Sequence, residues 1–295
     1  MTVLLAVVMV AALGTWIPLA QLAPGTPERS RLLYVAVGNA VLAGLTLAVG
    51  GGGLHFGWRS FWLPLGGGAV WTAGNYCVLR ASAAIGLARA AGTWTPLNIV
   101  VAFAWGALLF GELKGFSATR YTVLAVAFLT VVAGVLLIAG SRDNTGEPSA
   151  GPGATRAGLL WAGAAGILWG SYFVPAQWAD VPAQVGNFPL ALGILTGALV
   201  LVAPAVKSIK VGARAASTQL GAGALFGIGN LMLLTLVAHV GTGTGFTIAQ
   251  LSLAVNAGIG IWAFHVPQPG TRQAHRVLTG IVLAGIGGCA IATMR

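Results

Sequence analysis

Apolar residues fill most of the chain in blocks as long as a membrane helix, and short polar stretches separate the blocks. A helix that crosses a bilayer needs about 20 consecutive, mostly apolar residues. The pattern therefore predicts an all-α membrane protein with ten transmembrane helices. We expect them at residues 2–22, 31–50, 61–79, 84–110, 119–140, 157–178, 186–205, 217–238, 243–264 and 275–293. The first block has no basic leader before it, and we interpret it as a span and not as a removable signal peptide.

The pattern of the first half recurs in the second half. Residues 69–98 and 224–253 lie about 155 positions apart and align at Gly74-Asn75 with Gly229-Asn230 and at Gly86 with Gly241. A weaker echo aligns residues 14–16 with residues 170–172. Internal repeats of hydrophobic spans are typical of secondary transporters, whose substrate site lies where the two halves meet.

The long polar segment at residues 141–156 divides the predicted helices five and five. It is rich in Gly, Pro and Ser, a composition typical of a flexible linker. We predict a first five-helix repeat at 1–140, a polar linker at 141–156 and a second five-helix repeat at 157–295. An odd number of spans per repeat makes the second repeat enter the membrane in the opposite orientation, so the repeats are expected to be inverted. Alternating access follows as the expected mechanism.

Composition supports a membrane protein and excludes several other classes. Hydrophobic residues make up 57% of the chain and charged residues 7%, against about 25% charged in soluble domains. The net charge of +10 comes from basic residues scattered among short loops, so we expect membrane lipid and no nucleic acid as a partner. Cys77 and Cys289 lie in apolar spans and suggest neither a disulfide nor a metal site. Residues 106–111 have a phosphate-loop spacing, but Glu112 and Leu113 follow in place of Lys and Ser or Thr. No cofactor is predicted.

Two segments resemble a known transporter family. Residues 86–112 carry Arg89, Thr95 and Phe110-Gly111-Glu112, and residues 241–250 (GTGTGFTIAQ) end on a glutamine. These motifs resemble the fourth and ninth helices of the glucose/ribose porter family, bacterial sugar-uptake proteins of the drug/metabolite transporter superfamily. The chain departs from that pattern where Asn98 replaces a glutamine, Gly92 a proline, and Val266-Pro267 a charged loop. The resemblance implies uptake of a small neutral sugar, glucose- or ribose-like, across the plasma membrane.

A sugar site needs neutral polar side chains, because each hydroxyl both donates and accepts hydrogen bonds, and an aromatic face for the ring. The candidate substrate-binding residues are Asn75, Arg89, Trp94, Thr95, Asn98, Asn230, Thr247, Gln250, Trp16 and Tyr172. The alternative is that the Thr and Asn side chains only bond backbones or neighbouring helices, which is common in membrane bundles.

Three charged or titratable residues lie near predicted helix ends. Arg89 could bind sugar hydroxyls or an anionic group, or it could extend to the lipid headgroups. Glu112 could be a gate that pairs with Lys114, or a proton-binding site. His239 is a candidate proton relay, although a capping role is the more common one. No carboxylate is predicted at mid-membrane, so both proton coupling and facilitated diffusion stay open.

The distribution of basic residues predicts the orientation. Eleven of the 15 Lys and Arg residues fall on one predicted side: Arg29, Arg31, Arg80, Arg89, Arg142, Arg156, Lys207, Lys210, Arg214, Arg272 and Arg276. The other four are Arg59, Lys114, Arg120 and Arg295. The positive-inside rule then places both termini outside the cell.

Two other functional classes compete with sugar uptake. The same superfamily fold exports drugs and other metabolites, and tryptophan-rich walls would suit that function equally. A membrane-embedded enzyme is disfavoured because the chain has no HExxH motif, no GxSxG motif and no clustered carboxylate pair.

Overall fold

The structure is a computed structural model, and it describes residues 2–23, 25–49, 56–85, 87–140, 152–204, 209–265 and 267–292. Most of the predicted linker and Gly86 lie outside these ranges, as do the side chains of Arg89 and Cys289.

The described residues form helices and connecting turns, with no strand. The helices are α1 (Thr2–Gln21), α2 (Glu28–Val49), α3 (Trp58–Ile85), α4 (Leu87–Leu108), α5 (Ala118–Gly140), α6 (Pro152–Trp169), α7 (Val174–Trp178), α8 (Ala183–Val202), α9 (Ala213–Val240), α10 (Thr242–Ala249), α11 (Ser252–Trp262) and α12 (Arg272–Ala292). Seven stretches of the described part are long and apolar enough to cross a membrane. The all-α membrane class is thus confirmed, whereas the count of ten spans in two inverted repeats stays a prediction.

Two predicted helices are each interrupted. The span expected at 157–178 breaks into α6 and α7 at residues 170–173, and Pro175 in the first turn of α7 cannot donate to the carbonyl of Ser171. The span expected at 243–264 breaks into α10 and α11 at Gln250 and Leu251. Here the amides of Gln250 and Leu251 bond to carbonyls three residues back, at 3.2 and 3.0 Å, which tightens the chain into a 3₁₀ turn.

The chain forms two compact units that both combine segments from the two halves of the sequence. Unit 1 comprises Met1–Thr72 and Tyr172–His239, and unit 2 comprises Ala73–Ser171 and Val240–Arg295. The divisions fall within α3, at the interruption between α6 and α7, and before the last residue of α9.

Glycines bring helix backbones together within unit 1. A Cβ atom at Gly193 of α8 would overlap the carbonyl oxygen of Leu65 in α3, and one at Gly223 of α9 would overlap that of Val35 in α2. Small residues at such crossings let membrane helices pack closely where lipid gives no hydrophobic drive.

Glycines also bring the backbones of two helix pairs together in unit 2. A Cβ at Gly134 of α5 would meet the carbonyl oxygen of Gly280 in α12 at 2.5 Å, and the converse distance is also 2.5 Å. In the second pair, a Cβ at Gly166 of α6 would lie 2.9 Å from the carbonyl oxygen of Trp94 in α4. Substituted backbones could not approach this closely, so these positions fix how the helices of unit 2 pack.

The ends of α4 and α11 have the same geometry. The carbonyl of Trp105 accepts two backbone amides, at 2.9 and 3.1 Å, and the carbonyl of Ile259 accepts two amides at 2.9 and 3.3 Å. Each turn then reaches a left-handed residue, Gly111 with φ 63° and His265 with φ 57°. The two turns lie 154 positions apart, within one residue of the sequence repeat of about 155 positions.

Candidate functional site

Three buried polar side chains meet in the interior of unit 1. The hydroxyl of Tyr172, in the turn before α7, donates to Oδ1 of Asn230 in α9 at 2.9 Å. Nδ2 of Asn230 in turn donates to Oδ1 of Asn187 in α8 at 3.4 Å. All three residues are buried, so lipid and water do not compete for these bonds. We call Tyr172, Asn187 and Asn230 the polar triad.

A fourth polar residue, Asn39 of α2, lies against the same helix as Asn230. Its Oδ1 is 2.7 Å from where a Cβ of Gly227 would stand, so only a glycine allows this approach. Gly227 precedes Asn230 by three positions, which places the two residues on one face of α9. Sequence reasoning missed Asn39 and Asn187. The available signal was a lone amide inside an apolar span, since burying such a group is costly unless it is bonded.

Aromatic rings line the same face of α9. Phe226, four positions before Asn230, packs against Trp16 at a centroid distance of 5.4 Å and against Trp71 at 5.0 Å. Trp16 was predicted as a substrate-binding residue, and it lies in this aromatic group. Trp71 was not predicted, although it is the more deeply buried of the two tryptophans.

A cavity of about 60 Å³ in unit 1 is lined by residues that are close to the polar triad along the chain. Its lining includes Phe173, which follows Tyr172, and Gly186, which precedes Asn187. It also includes Leu234, one turn after Asn230. The cavity is large enough to hold water, and its walls are mostly apolar.

The predicted residues of α4 belong to unit 2. Trp94 packs edge-on against Trp169 of α6 with the ring centroids 6.0 Å apart. Thr95 is buried, and Asn98 is half-buried. Within the part of the chain that the structure describes, the buried Oδ1 of Asn98 has no hydrogen-bond partner. Asn98 therefore keeps an acceptor available, as a substrate-binding residue must.

The predicted residues of α10 and α3 differ in what they contact. The hydroxyl of Thr247 donates to the carbonyl of Gly243 at 2.6 Å, which is the backbone-bonding alternative. Gln250 is half-buried at the break between α10 and α11. Asn75 is half-buried in α3 and belongs to unit 2, whereas its repeat mate Asn230 belongs to unit 1. Their predicted shared role stays a prediction.

Glu112 binds the N-terminal end of α10. Its carboxylate accepts hydrogen bonds from the backbone amides of Thr242 and Gly243, the latter at 3.0 Å. Gly111 with φ 63° and Gly241 with φ 79° shape the two turns that meet here. A carboxylate at a helix N terminus is favoured by the unpaired amides and by the helix dipole. The structure thus adds a helix-capping contact to the predicted roles of Glu112 as a gate or proton site.

Two further predicted residues add little to the described site. His239 is exposed in the last turn of α9, with Nδ1 2.7 Å from the carbonyl oxygen of Thr235. The Arg89 side chain lies outside the described part of the chain. Across the described residues, no group of three or more His, Cys, Asp or Glu side chains could hold a metal ion.

Apolar helices of membrane-spanning length, with neutral amides and a phenol buried among them, define a multi-pass membrane protein with a polar interior. The model of the family described as "Sugar transport protein" matches residues 4–294. The chain belongs to that family, and it is a multi-pass protein of the plasma membrane.

Two relatives carry names that describe glucose uptake. "Glucose uptake protein GlcU" of Staphylococcus xylosus is 26% identical over 85% of this chain and 80% of its own length. "Probable glucose uptake protein GlcU" of Priestia megaterium is 23% identical over 73% of this chain and 72% of its own length. The resemblance to bacterial sugar-uptake proteins is thus confirmed.

A solved crystal structure is similar in fold. The match has a TM-score of 0.72 at 21% identity, and it covers 99% of this chain and 96% of that chain.

Proposed function

We propose that the protein is a secondary transporter that takes up a small neutral sugar, glucose- or ribose-like, by alternating access. Membership of the sugar transport protein family over residues 4–294 is the observation that carries this proposal. The relative named for glucose uptake, aligned over 85% of this chain, supports glucose as the first substrate to test.

The buried polar groups of unit 1 have the chemistry that a sugar requires. The polar triad offers amide donors, amide acceptors and a phenol, and sugar hydroxyls can bond to all of them. Trp16 and Phe226 supply aromatic surface near the triad on α9, which suits the C–H face of a sugar ring. In unit 2, the free acceptor of Asn98 and the position of Gln250 at a helix break support the same role.

The distribution of acidic residues favours a neutral substrate over a cationic drug. Among the described residues, Glu28 and Asp180 are exposed, and the carboxylate of Glu112 accepts backbone amides. A buried carboxylate free to pair with a cation is therefore not found in the described interior. This observation supports sugar uptake over the export of a cationic drug.

The proposal extends to the arrangement of the membrane spans and to the residue that couples transport to protons. We assign ten spans in two inverted repeats at 1–140 and 157–295, joined by the linker at 141–156, and the equivalent turns that end α4 and α11 support this assignment. Glu112 is the residue we assign to proton coupling or gating, because it joins α4 to α10 through a titratable group.

We assign no catalytic activity, since the family and its named relatives are transporters.

Counterflow into liposomes tests the proposal. Purified protein is reconstituted with unlabelled substrate inside, and labelled glucose, ribose or a cationic drug is added outside, with protein-free liposomes as the control. We expect glucose or ribose to accumulate transiently above the control. Accumulation of the drug with neither sugar entering would favour the exporter instead.

A further inference from the structure

We propose that Asn39 and Asn187 bind sugar hydroxyls, and that together with Asn230 and Tyr172 they form a hydroxyl-binding subsite inside unit 1. This inference rests on the proposed sugar transport. It adds two binding residues that the sequence motifs do not indicate, and it places the subsite on three helices, α2, α8 and α9.

Asn39 is the first observation. The residue is 0% exposed, and within the described residues neither Oδ1 nor Nδ2 of its amide has a hydrogen-bond partner. Buried polar side chains in folded proteins are nearly always bonded, because an unpaired amide loses its bonds to water without replacement. A buried amide with both ends unpaired therefore indicates that its partner is a ligand or a bound water.

Asn187 also lacks a hydrogen-bond partner, at one of the two polar atoms of its amide. Its Oδ1 accepts the long 3.4 Å bond from Asn230, and its Nδ2 has no partner among the described residues. The Asn230 Oδ1, in contrast, accepts the firm 2.9 Å bond from Tyr172. Among Asn39 and the polar triad, the unmet hydrogen-bonding capacity thus lies on Asn39 and Asn187.

Helix packing supports the placement of these residues in one region of unit 1. Asn39 lies against Gly227, one turn before Asn230 on the same face of α9. Farther along α2, a Cβ at Gly44 would lie 3.5 Å from the ring of Phe188, the residue after Asn187 in α8. Helix α2 therefore contacts both of the helices that carry the two other asparagines.

The polar atoms without hydrogen-bond partners indicate the chemistry of the ligand. They are two amide NH₂ groups and one amide oxygen, on Asn39 and Asn187. A cation would face the hydrogens of the NH₂ groups, and an anion would leave the Asn39 oxygen without a donor. A neutral hydroxyl both donates and accepts, so it satisfies both kinds of group. A polyhydroxylated ligand fits best, since two or three hydroxyls could be bonded at once.

Tyr172 gives this subsite a means of opening. The residue lies in the turn at 170–173, where the helix is interrupted, and its side-chain bond to Asn230 is the shortest in the triad. Movement of this turn would break the hydrogen bond between Tyr172 and Asn230. A sugar hydroxyl could then replace the phenol on Asn230.

Leucine substitutions test the proposal on the full-length purified protein. Asn39→Leu and Asn187→Leu replace an amide by an apolar group of similar size, and Gln219→Leu is the matched control. Gln219 is also 0% exposed in unit 1, and its Nε2 donates to the carbonyl of Ala20 at 2.8 Å, toward the end of α1. Its Oε1 has no partner among the described residues. It lies about three turns before Asn230 in α9, outside the proposed subsite. The measured quantities are the Kd for glucose or ribose and the Tm without sugar.

We expect each asparagine variant to bind the sugar about 5- to 150-fold more weakly, because a lost partner leaves a buried hydroxyl unpaired. The Tm of Asn39→Leu without sugar should stay equal or rise, because leucine removes an amide that is unpaired at both ends. Asn187→Leu also removes the 3.4 Å bond from Asn230, so its Tm serves as a check of folding. The Gln219→Leu variant should keep the wild-type Kd. Asn39→Ala and Asn187→Ala repeat the test if a leucine variant does not fold, and the same loss of affinity is expected.

Unchanged sugar affinity with a lower Tm would overturn the inference, because the asparagines would then serve packing or bind water only. A wild-type protein that bound no sugar would overturn the proposed function together with the inference. A wild type that binds while both variants bind equally well would overturn the inference alone.

Discussion

The hydrogen bond between Tyr172 and Asn230 joins the start of α7 to the middle of α9 within unit 1. Both side chains are buried, and the polar groups of such pairs have no water to return to when the partner is removed. The bond therefore stabilises the fold as well as positioning the amide of Asn230. The same pairing explains why a phenol is placed at the interruption between α6 and α7.

Tyr172→Phe should lower the stability of the protein by about 1–3 kcal/mol, because the Asn230 oxygen loses its firmest donor. Thermal unfolding of the purified variant in detergent measures the change. Tyr76→Phe is the matched control, since Tyr76 is exposed and contacts Trp161 only through its ring in the described contacts. Equal Tm values for the two variants would contradict the assigned bond.

The sequence indicated Tyr172 and Asn230 because both belong to repeated motifs. It did not indicate Asn39 or Asn187, because neither has a repeat mate of the same chemistry and each is a single amide in an apolar span. Whether such an amide is buried or faces lipid depends on helix rotation, and that is set by contacts such as Gly227 against Asn39. The one-dimensional pattern does not contain this information.

At the scale of elements, the contact between Glu112 and α10 joins helices from the two halves of the sequence within unit 2. The motif Phe110-Gly111-Glu112 follows the end of α4 and turns the carboxylate toward the N-terminal amides of α10. At the corresponding place in the second half the sequence has Val266 and Pro267, and neither carries a charge.

Glu112→Gln should destabilise the protein by about 0.5–2 kcal/mol, the usual range for losing a helix N-terminal charge or cap. Glu112→Ala should cost more, because it removes both acceptors. The Tm values of the purified variants provide the measurement, with Asp180→Asn as control because Asp180 is exposed. A fall in Tm for the control equal to that for Glu112→Ala would argue against the cap.

Glycine positions in α3 allow a sharper test of helix packing. A Cβ at Gly68 would overlap the carbonyl oxygen of Leu190, whereas a Cβ at Gly66, two residues earlier, would meet nothing within 4 Å. Gly68→Ala should therefore cost about 1–3 kcal/mol or more. Gly66→Ala should be neutral or stabilising by up to about 1 kcal/mol, through helix propensity. The Tm values of the two purified variants provide the measurement. Equal changes in Tm would be inconsistent with the close crossing of α3 and α8.

The two helix interruptions differ in how well sequence could predict them. Gly170 and Pro175 are a recognisable signal of a break between α6 and α7, although the apolar pattern alone predicted one continuous span. The break at Gln250 and Leu251 has neither glycine nor proline at the turn. Tertiary packing must favour the tight turn there, and local propensity does not reveal it.

At the scale of the whole molecule, the sequence repeat and the compact units describe different properties. The repeat aligns positions along the chain, and it predicted two five-helix halves in opposite orientations. The units arise from contacts between helices far apart in sequence, so that α2 and α8 fall in unit 1 while α5 and α12 fall in unit 2. Apolar faces in a membrane protein carry little information about which partner they choose.

The orientation of the chain is predicted from its basic residues, with eleven of 15 on the side of the loops after the odd-numbered predicted helices. The positive-inside rule places that side in the cytoplasm and both termini outside. A C-terminal tag on intact cells should therefore react with a membrane-impermeant label. Labelling only after permeabilisation would reverse the assigned orientation.

Asn230 has two hydrogen-bond partners among the buried neutral side chains that we propose bind a transported sugar. The most direct measurement is the sugar concentration that half-saturates counterflow in liposomes, compared between wild type and Asn230→Ala. Trp178→Phe is the control, because Trp178 is exposed at the end of α7. We predict a half-saturating concentration about 5- to 150-fold higher for Asn230→Ala and an unchanged value for Trp178→Phe. Wild-type counterflow by Asn230→Ala, at equal protein in the membrane, would contradict the claim.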